Sequence, residues 1–291
     1  MEKILLSYVM TTYNKLSYLK VTLPFLIKNK KKDEEIVITD GGSTDGTAEY
    51  LSELYKEGHI DQFISEKDFG EAHGTNKAIL MAKGEIVKVI TDDDIFHYPT
   101  ITTCKQFMLD NTHIDILGFD GFGFNINHST YSYLKIEYVK GFKKWLIDKT
   151  PFLFCGLGFM LRKTSLEHLG LFNTNFKIVD FEYSIRVSSM NAKIAFYTGM
   201  GFINIVNPQS NSHKFYEIID RERKMLAKIY PSFRKSISYK GSILKLKEIV
   251  ARSILKRSVS DTSEFDYLDI ASESIKKLDD YNSTNKFVFL S

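Results

Sequence analysis

The sequence has few of the residues that form covalent cross-links or thiolate metal sites. Its 291 residues include only two cysteines, Cys104 and Cys155, which lie far apart and form no CxxC pair. A disulfide framework and a structural zinc site are therefore not indicated. We expect the chain to work in a reducing cytoplasm.

Long apolar runs are also absent. No stretch reaches the roughly 18 uninterrupted apolar residues that a membrane-spanning helix requires. The N-terminal run at residues 4–10 leads directly into Thr11 and Thr12 without a small-residue cleavage site, which favours a buried strand over a signal peptide. Any membrane contact is therefore expected to be peripheral.

Neither sign of charge is in large excess. The 39 basic and 36 acidic residues leave a net charge of +3, so the whole molecule has no strong field that would hold nucleic acid. With 43% hydrophobic and 26% charged residues, the composition is that of a globular protein and excludes the disordered and collagen-like classes.

The first third of the chain alternates β-branched apolar runs with longer amphipathic segments, a pattern typical of parallel βαβ units. It predicts strands at residues 4–10, 35–39, 62–65 and 85–90, and helices at residues 15–29, 47–57 and 74–83. An open α/β sheet follows from this order, and ligands collect at the carboxyl ends of the strands in such sheets.

The remainder of the chain is less regular. Residues 114–139 favour two or three antiparallel strands at the sheet edge, and residues 152–161 favour another strand. Helices are predicted at 141–149, 164–169 (ended by Gly170), 180–189, 213–228 and 243–256.

Three adjacent carboxylates, Asp92, Asp93 and Asp94, follow the fourth predicted strand. Like charges repel, so a loop that concentrates them at a strand end is typical of a cation site. A solvated, helix-capping turn before Pro99 is the alternative when the triplet is taken alone. The position at a strand end favours the cation site.

A glycine-rich loop, DGGSTDGT at residues 40–47, follows the second predicted strand. Glycines let the backbone approach a ligand closely, and Asp40 could accept a hydrogen bond from a base or ribose. A tight turn in which Ser43, Thr44 or Asp45 caps the next helix is the alternative.

Five motifs occur in a fixed order along about two thirds of the chain. They are Thr12-Tyr13-Asn14, IVITDGGSTDGT at 36–47, SEKDFGEAHGTNKAILMAK at 65–83, Asp92-Asp93-Asp94 and Val179-Asp180-Phe181-Glu182. Together they resemble the family 2 glycosyltransferases of GT-A fold. The resemblance implies an open, mostly parallel sheet flanked by helices.

The resemblance also implies a division of the chain and an activity. Residues 1–212 would form the catalytic domain, with a nucleotide-sugar half at 1–94 and an acceptor half at 95–212, and residues 213–291 would form a helical C-terminal extension. The implied enzyme is an inverting, metal-dependent hexosyltransferase. It would move a sugar from a UDP-sugar to a hydroxyl of a glycan or lipid-linked saccharide, with Mn2+ or Mg2+, in the biosynthesis of bacterial O-antigen or capsule.

Site roles come from the same resemblance. Asp180 matches the catalytic base, and Asp40 matches the aspartate that reads the uracil edge. In the implied metal site Asp94 is the expected direct ligand, with Asp92 and His213. The implied donor-binding residues are Thr12, Tyr13, Asn14, Asp40, Glu66, Asp68, Asn76, Lys77, Asp92 and Asp93. The chain departs from the family at Val179, where members commonly carry a glutamate.

Several interpretations stay open at this point. His73 is either a donor contact or a surface histidine at a helix start, and His213 is either a metal or phosphate contact or an ordinary helix residue. Trp145, with Phe142 and Phe152, forms either an acceptor wall or core. The basic segment 234–257 is either an amphipathic helix on the inner, anionic face of a membrane or a helix packed on the catalytic domain.

Two other functions compete with the glycosyltransferase. A nucleotidyltransferase would need a glycine-rich, basic first loop, which Thr11 to Lys15 does not provide. A non-catalytic nucleotide-sugar or glycan binding protein would bind the donor without turning it over.

Overall fold

The computed structural model of the protein describes residues 3–126, 130–133, 136–206, 215–233 and 267–291. The chain forms a central sheet of ten strands with helices on its faces, so the expected α/β class with flanking helices is confirmed. The strands are β1 (Leu6–Thr12), β2 (Glu34–Asp40), β3 (Gln62–Ser65), β4 (Ile86–Val89), β5 (Ile95–Phe96), β6 (Ile116–Asn125), β7 (Thr130–Tyr133), β8 (Phe159–Arg162), β9 (Ile194–Val206) and β10 (Phe289–Leu290).

The described residues contain nine α-helices. They are α1 (Leu16–Asn29), α2 (Thr47–Lys56), α3 (Glu71–Met81), α4 (Tyr98–Asp110), α5 (Ile136–Asp148), α6 (Leu166–Leu169), α7 (Val179–Ser189), α8 (Tyr216–Ile229) and α9 (Tyr267–Thr284). Short 3-10 turns at Gly156–Gly158 and Lys163–Ser165 flank β8.

The N-terminal half has the predicted parallel order. Strands β3, β2, β1 and β4 lie side by side and all pair in parallel, with α1, α2 and α3 as crossover helices. Every residue of β2 is buried, as expected for a parallel strand that is covered on both faces. Helix α3 begins at Glu71, three residues earlier than predicted, and packs so tightly that a Cβ at Gly74 would overlap the Thr11 hydroxyl.

The second half of the sheet is mixed and differs from the expected arrangement. Strand β6 was predicted at the sheet edge, but it lies inside the sheet, antiparallel to β8 and parallel to β9. Strand β9 was not predicted, because Gly199 and Gly201 interrupt its apolar pattern. Gly201 is needed there, since any side chain would meet the ring of Phe119.

The C-terminal residues return to the sheet. Helix α8 confirms the predicted helix at 213–228, whereas α9 was not predicted. Helix α9 buries Ile270, Ala271 and Leu278 against β6 and β9, and β10 pairs antiparallel with β9 through Phe289 and Tyr197. The predicted helix at 243–256 and the basic segment 234–257 lie outside the described residues.

The aromatic side chains proposed for an acceptor wall belong to the core. Phe142, Trp145 and Phe152 are at most 4% exposed, and the indole N–H of Trp145 donates to the Ser188 carbonyl at 2.9 Å. Full burial of one such side chain stabilises a fold by about 1.5–3 kcal/mol, which explains the aromatic spacing without a ligand. The acceptor-wall interpretation is therefore wrong.

Among the residues that the structure describes, no helix is long and apolar enough to cross a membrane.

Candidate functional site

The loops after the parallel strands meet at one edge of the sheet. The pairing register places Thr12 of β1 opposite Asp40 of β2, and Asp40 opposite Ser65 of β3. The acidic loop, residues 92–94, follows β4 on the other side of β1. The predicted convergence of these loops is thus present in the fold.

Direct contacts connect the acidic loop to the loop after β1. The hydroxyl of Thr12 donates to Asp92 Oδ2 at 2.8 Å, and Lys15 Nζ contacts Asp93 Oδ2 at 2.6 Å. Both partners of the Lys15–Asp93 ion pair are only 14% exposed, so it is screened far less than a surface pair. Lys15 was not among the predicted site residues, although its position directly after Asn14 is a signal that could have identified it.

The charges in the acidic loop are crowded. Burial, together with the charge of Asp93, raises the pKa of both Asp92 and Asp94. Burial lowers the pKa of Lys15, but the neighbouring charges of Asp93 and Asp92 outweigh it and raise that pKa. Ionising all three carboxylates would place more negative charge in the loop than its one lysine neutralises, and a bound cation would stabilise the ionised forms.

Asp94 is occupied by contacts within the protein. Its Oδ1 accepts from the Asn204 amide at 3.0 Å and from the Ile205 backbone N–H at 2.6 Å, and its Oδ2 accepts from the Thr91 hydroxyl at 2.7 Å. These bonds attach the acidic loop to β9. Asp94, the expected direct metal ligand, therefore also holds the loop, and its metal contact stays a prediction.

The donor chemistry of the acidic loop suits a hard divalent cation. Carboxylate oxygens are the ligands that Mg2+ and Mn2+ prefer, and Asp92 and Asp93 carry them at the face of the loop that meets Thr12 and Lys15. The described residues contain no ready-made group of three or more His, Cys, Asp or Glu side chains around one point. His213, the third predicted ligand, lies outside the described residues.

The glycine-rich loop is built around Asp40. This residue is fully buried, and its carboxylate accepts from the backbone N–H groups of Gly42 (3.1 Å) and Ser43 (3.0 Å), from the Ser43 hydroxyl and from the Ser65 hydroxyl (2.6 Å). The carboxylate was expected to read the uracil edge. Its oxygens also shape the loop whose backbone would face a base, and the contact with uracil stays a prediction.

Asn14 joins the loop after β1 to the glycine-rich loop. It adopts a left-handed backbone, with φ of 52°, its N–H donates to Ser43 Oγ at 2.8 Å, and its side-chain oxygen accepts from Thr44 N–H at 2.8 Å. Tyr13, the preceding residue, is 58% exposed. An exposed ring beside a rigid loop is suited to pack on a planar base.

The loop after β3 contributes two more carboxylates. Glu66 is exposed and pairs with Lys77 Nζ at 3.1 Å, while Asp68 accepts from the Gly70 N–H at 2.8 Å. A Cβ at Gly41 would lie 3.0 Å from Asp68 Oδ2. Because position 41 has no side chain, the Asp68 carboxylate can lie directly against the glycine-rich loop.

Two polar residues of α3 have local roles. The amide of Asn76 is 9% exposed and makes both of its bonds with the backbone of Phe172, at 2.8 and 3.0 Å, so it fastens α3 to a neighbouring loop. The expected donor contact of Asn76 could use only the second N–H of this amide, and it stays a prediction. His73 packs its ring edge against the exposed Phe69, which favours the surface interpretation.

Asp180 lies in the first turn of α7 and is half-buried. Its Oδ2 accepts from the Gly156 N–H at 3.1 Å, and its Oδ1 accepts from the Phe181 N–H at 2.9 Å. A helix N-terminus favours the ionised carboxylate that a base requires. Glu182, its nearest acidic neighbour, is buried and paired with Arg186 at 2.7 Å.

A buried lysine that was not predicted from the sequence holds the 3-10 turn at Gly156–Gly158, whose first N–H donates to Asp180. Lys88 is 0% exposed and donates to the carbonyls of Val89 and, at 2.8 Å, Leu157. Burial lowers its pKa to about 7. A charged residue in the middle of the predicted strand at 85–90 was the signal for this role.

Comparison with curated proteins gives matches to a chondroitin synthase and to glycosyltransferases. The chain is 28% identical to chondroitin synthase of Pasteurella multocida over 109 residues, which cover 37% of this chain and 11% of that enzyme. It is 30% identical to the glycosyltransferase GlyG of Streptococcus pneumoniae (35% and 34%) and 29% identical to the putative teichuronic acid biosynthesis glycosyltransferase TuaG of Bacillus subtilis (38% and 44%). The matches span less than half of the length of each of these relatives.

Solved structures share the fold over a larger part of the chain. TarS 1-349 of S. aureus in complex with UDP-GlcNAc matches with a TM-score of 0.61 at 18% identity, over 84% of this chain and 76% of that one. The mannosyltransferase PcManGT of Pyrobaculum calidifontis, in complex with GDP-Man and Mn2+, matches with a TM-score of 0.54 at 16% identity, over 96% and 86%.

A family model covers more than half of the chain. The model for glycosyl transferase family 2 matches residues 7–170, from β1 to the end of α6, and so includes the glycine-rich and acidic loops. The order of motifs, the fold and this match agree, and the chain belongs to glycosyl transferase family 2.

Proposed function

We propose that the protein transfers a sugar from a UDP-sugar to a hydroxyl group of an acceptor saccharide, with a divalent cation and with inversion at the anomeric carbon. The observation that carries this proposal is the meeting of the acidic loop with Thr12 and Lys15 at the carboxyl ends of the parallel strands. That is the edge at which nucleotides bind in open α/β sheets. The family match supports a glycosyltransferase activity, and UDP-GlcNAc in a structural neighbour supports the donor class.

In this proposal the donor lies across the three loops after β1, β2 and β3. Tyr13 packs on the base, and the backbone of the glycine-rich loop, shaped by Asp40, faces the base and ribose. Asp68 and the Glu66–Lys77 pair border the path toward the sugar. Thr12 orients Asp92 toward the diphosphate side of the site.

The acidic loop, through Asp92, Asp93 and Asp94, would hold the cation, Mn2+ or Mg2+, on the diphosphate side. When bound, the cation neutralises charge on the leaving diphosphate. Lys15, already at Asp93, adds a second positive charge near the same oxygens. Manganese in a structural neighbour supports this choice of ion.

Asp180 is the proposed base. Its carboxylate accepts hydrogen bonds from the Gly156 and Phe181 backbone and lies half-exposed at a helix start, where it can take the proton from an acceptor hydroxyl. Glu182 is held by Arg186 and is not available for that step. A single displacement by the acceptor oxygen inverts the attacked carbon, so the product should have the opposite anomeric configuration from the donor.

The acceptor and the cellular setting are inferred from the relatives. Chondroitin synthase and the putative teichuronic acid enzyme TuaG support a role in surface polysaccharide biosynthesis, with a glycan or lipid-linked saccharide as acceptor. We retain residues 1–212 as the catalytic domain, and residues 213–291 as its extension. Peripheral membrane contact through 234–257, in the cytoplasm, is part of the same proposal.

The decisive experiment is a panel of nucleotide sugars with Mn2+ or Mg2+ and simple saccharide acceptors, followed by release of nucleoside diphosphate. We expect UDP release from one UDP-sugar, and NMR of the product should show inversion. Donor binding with no turnover in any combination would favour a nucleotide-sugar binding protein. A product with retained configuration would exclude a single displacement as the mechanism.

A further inference from the structure

The acidic loop is held by a residue far outside the family match. The hydroxyl of Tyr267, the first residue of α9, donates to the backbone carbonyl of Asp93 at 2.5 Å. The two residues are 174 positions apart in the chain, and α9 begins well after residue 170, where the family match ends. The residue that makes this contact therefore lies outside the segment that the family model matches.

The same tyrosine takes part in a closed ring of contacts. Its aromatic ring meets Tyr18 edge to face, with centroids 4.9 Å apart, and Tyr18 in turn lies under Lys15 Nζ at 4.9 Å. Lys15 pairs with the Asp93 carboxylate. Asp93 is thus held at its backbone by Tyr267 and at its side chain by Lys15, and both holding residues contact the ring of Tyr18.

Helix α9 has anchors of its own, so it does not depend on Tyr267 for its position. The Asn282 amide donates to the Met200 carbonyl at 2.8 Å and accepts from the Met200 N–H at 3.1 Å, and Asp279 contacts His97 Nε2 at 3.0 Å. Ile270 and Leu278 are buried against the sheet. A helix fixed in this way is a rigid support from which one hydroxyl can hold a loop.

We propose that Tyr267 is a positioning residue of the metal and donor site, because its hydroxyl fixes the peptide after Asp93 and thereby directs the Asp93 carboxylate. The proposal rests on the proposed function only in taking the acidic loop as that site. Helix α9 therefore helps to shape the site through this one hydrogen bond.

The test uses Tyr267→Phe in the full chain, which removes one hydroxyl and leaves the ring against Tyr18. Tyr131→Phe is the matched control, because the Tyr131 hydroxyl contacts Ser274 Oγ of the same helix at 3.2 Å. Hydrogen exchange in the ligand-free protein should show faster exchange at residues 91–96 in Tyr267→Phe than in the wild type or in Tyr131→Phe. This readout requires no donor and no activity.

The second readout is UDP affinity by calorimetry, with Mn2+ and with chelator. We expect Tyr267→Phe to weaken UDP binding with Mn2+ by about three- to tenfold, in the range for one lost hydrogen bond. With chelator the UDP affinities of the wild type and of Tyr267→Phe should differ little, because no cation is then bound to the acidic loop. Unchanged exchange at 91–96, or equal effects of the two substitutions, would overturn the positioning role. A wild type that ignores UDP would instead overturn the proposed function, and exchange would still decide the role of Tyr267.

Discussion

Two acidic segments of the chain look alike in sequence and are built in opposite ways. In the acidic loop, Asp92 and Asp93 are adjacent, and one lysine, Lys15 of the loop after β1, pairs with Asp93. Burial and the charge of Asp93 raise the pKa of Asp92. At the start of α7, Asp180 and Glu182 have separate partners, the Gly156 N–H and Arg186. Crowded carboxylates favour a shared cation, whereas separated ones can take individual roles.

The largest effect should come from Asp180. We expect Asp180→Asn to fold and to bind donor normally, but to lose on the order of a hundredfold or more in turnover, because an amide cannot accept the proton. The asparagine oxygen can keep one of the two backbone hydrogen bonds that Asp180 accepts, so we expect stability to fall by only about 1 kcal/mol. Steady-state kinetics and a thermal melt measure the two quantities, and near-normal turnover would leave Asp180 with a structural role only.

Glu182 should show the reverse behaviour. Its carboxylate is 5% exposed, and Glu182→Ala would leave Arg186 without its partner, which we expect to lower the free energy of unfolding by about 2–3 kcal/mol. Turnover per folded molecule should stay within a few-fold of the wild type. Urea unfolding and active-site titration separate the effects. A large loss of turnover at full stability would move the base from Asp180 to Glu182.

The acidic loop should reveal its shared cation in binding. We expect UDP to bind at least about tenfold more tightly with Mn2+ than with chelator, because the crowded carboxylates otherwise repel the diphosphate. Asp93→Asn should remove most of this difference, and calorimetry measures it. Asp110→Asn, on the exposed end of α4, is the control and should behave as the wild type. Equal affinities with ion and chelator would contradict the metal role of the loop.

The smallest expected effect concerns His97, which follows the acidic loop in the chain and contacts Asp279 and Asn282 of α9. Burial lowers its pKa in the folded protein, although the hydrogen bond to Asp279 opposes this. The unfolded chain therefore takes up the proton first, and stability present above about pH 6.5 should be lost as the pH falls through the window below it. Melting temperatures between pH 7.5 and 5.5 should fall less in His97→Gln than in the wild type. His59→Gln, at an exposed site, should keep the wild-type slope.

The sequence allowed the donor half to be predicted because its signals are local. Each parallel strand from β1 to β4 is a short apolar run followed at once by its polar loop, so strand and site residue lie together in the sequence. Glu66, Asp68 and Asn14 lie at the predicted edge for this reason. The family match later covered the same residues.

The remaining features depend on distant partners. Asp94 also accepts hydrogen bonds from Asn204 and Ile205, which lie more than a hundred positions away in a strand with two interrupting glycines. Asp40 likewise is occupied in part by Ser65 of another strand. The contact of Tyr267 with Asp93 leaves no local pattern at all. Such pairs follow from tertiary packing, which a single sequence does not contain.

The short strand β10 has a consequence for how the protein is made. It covers β9 through Phe289 and Leu290, and the Phe289 ring stacks on Phe107 at 3.9 Å, so an edge of the sheet gains its last strand from residues synthesised about ninety positions after β9. Until those residues leave the ribosome, β9 exposes unpaired backbone groups of the kind that recruit other nascent chains. The growing chain is therefore open to aggregation at this edge from the synthesis of β9 until β10 has paired with it.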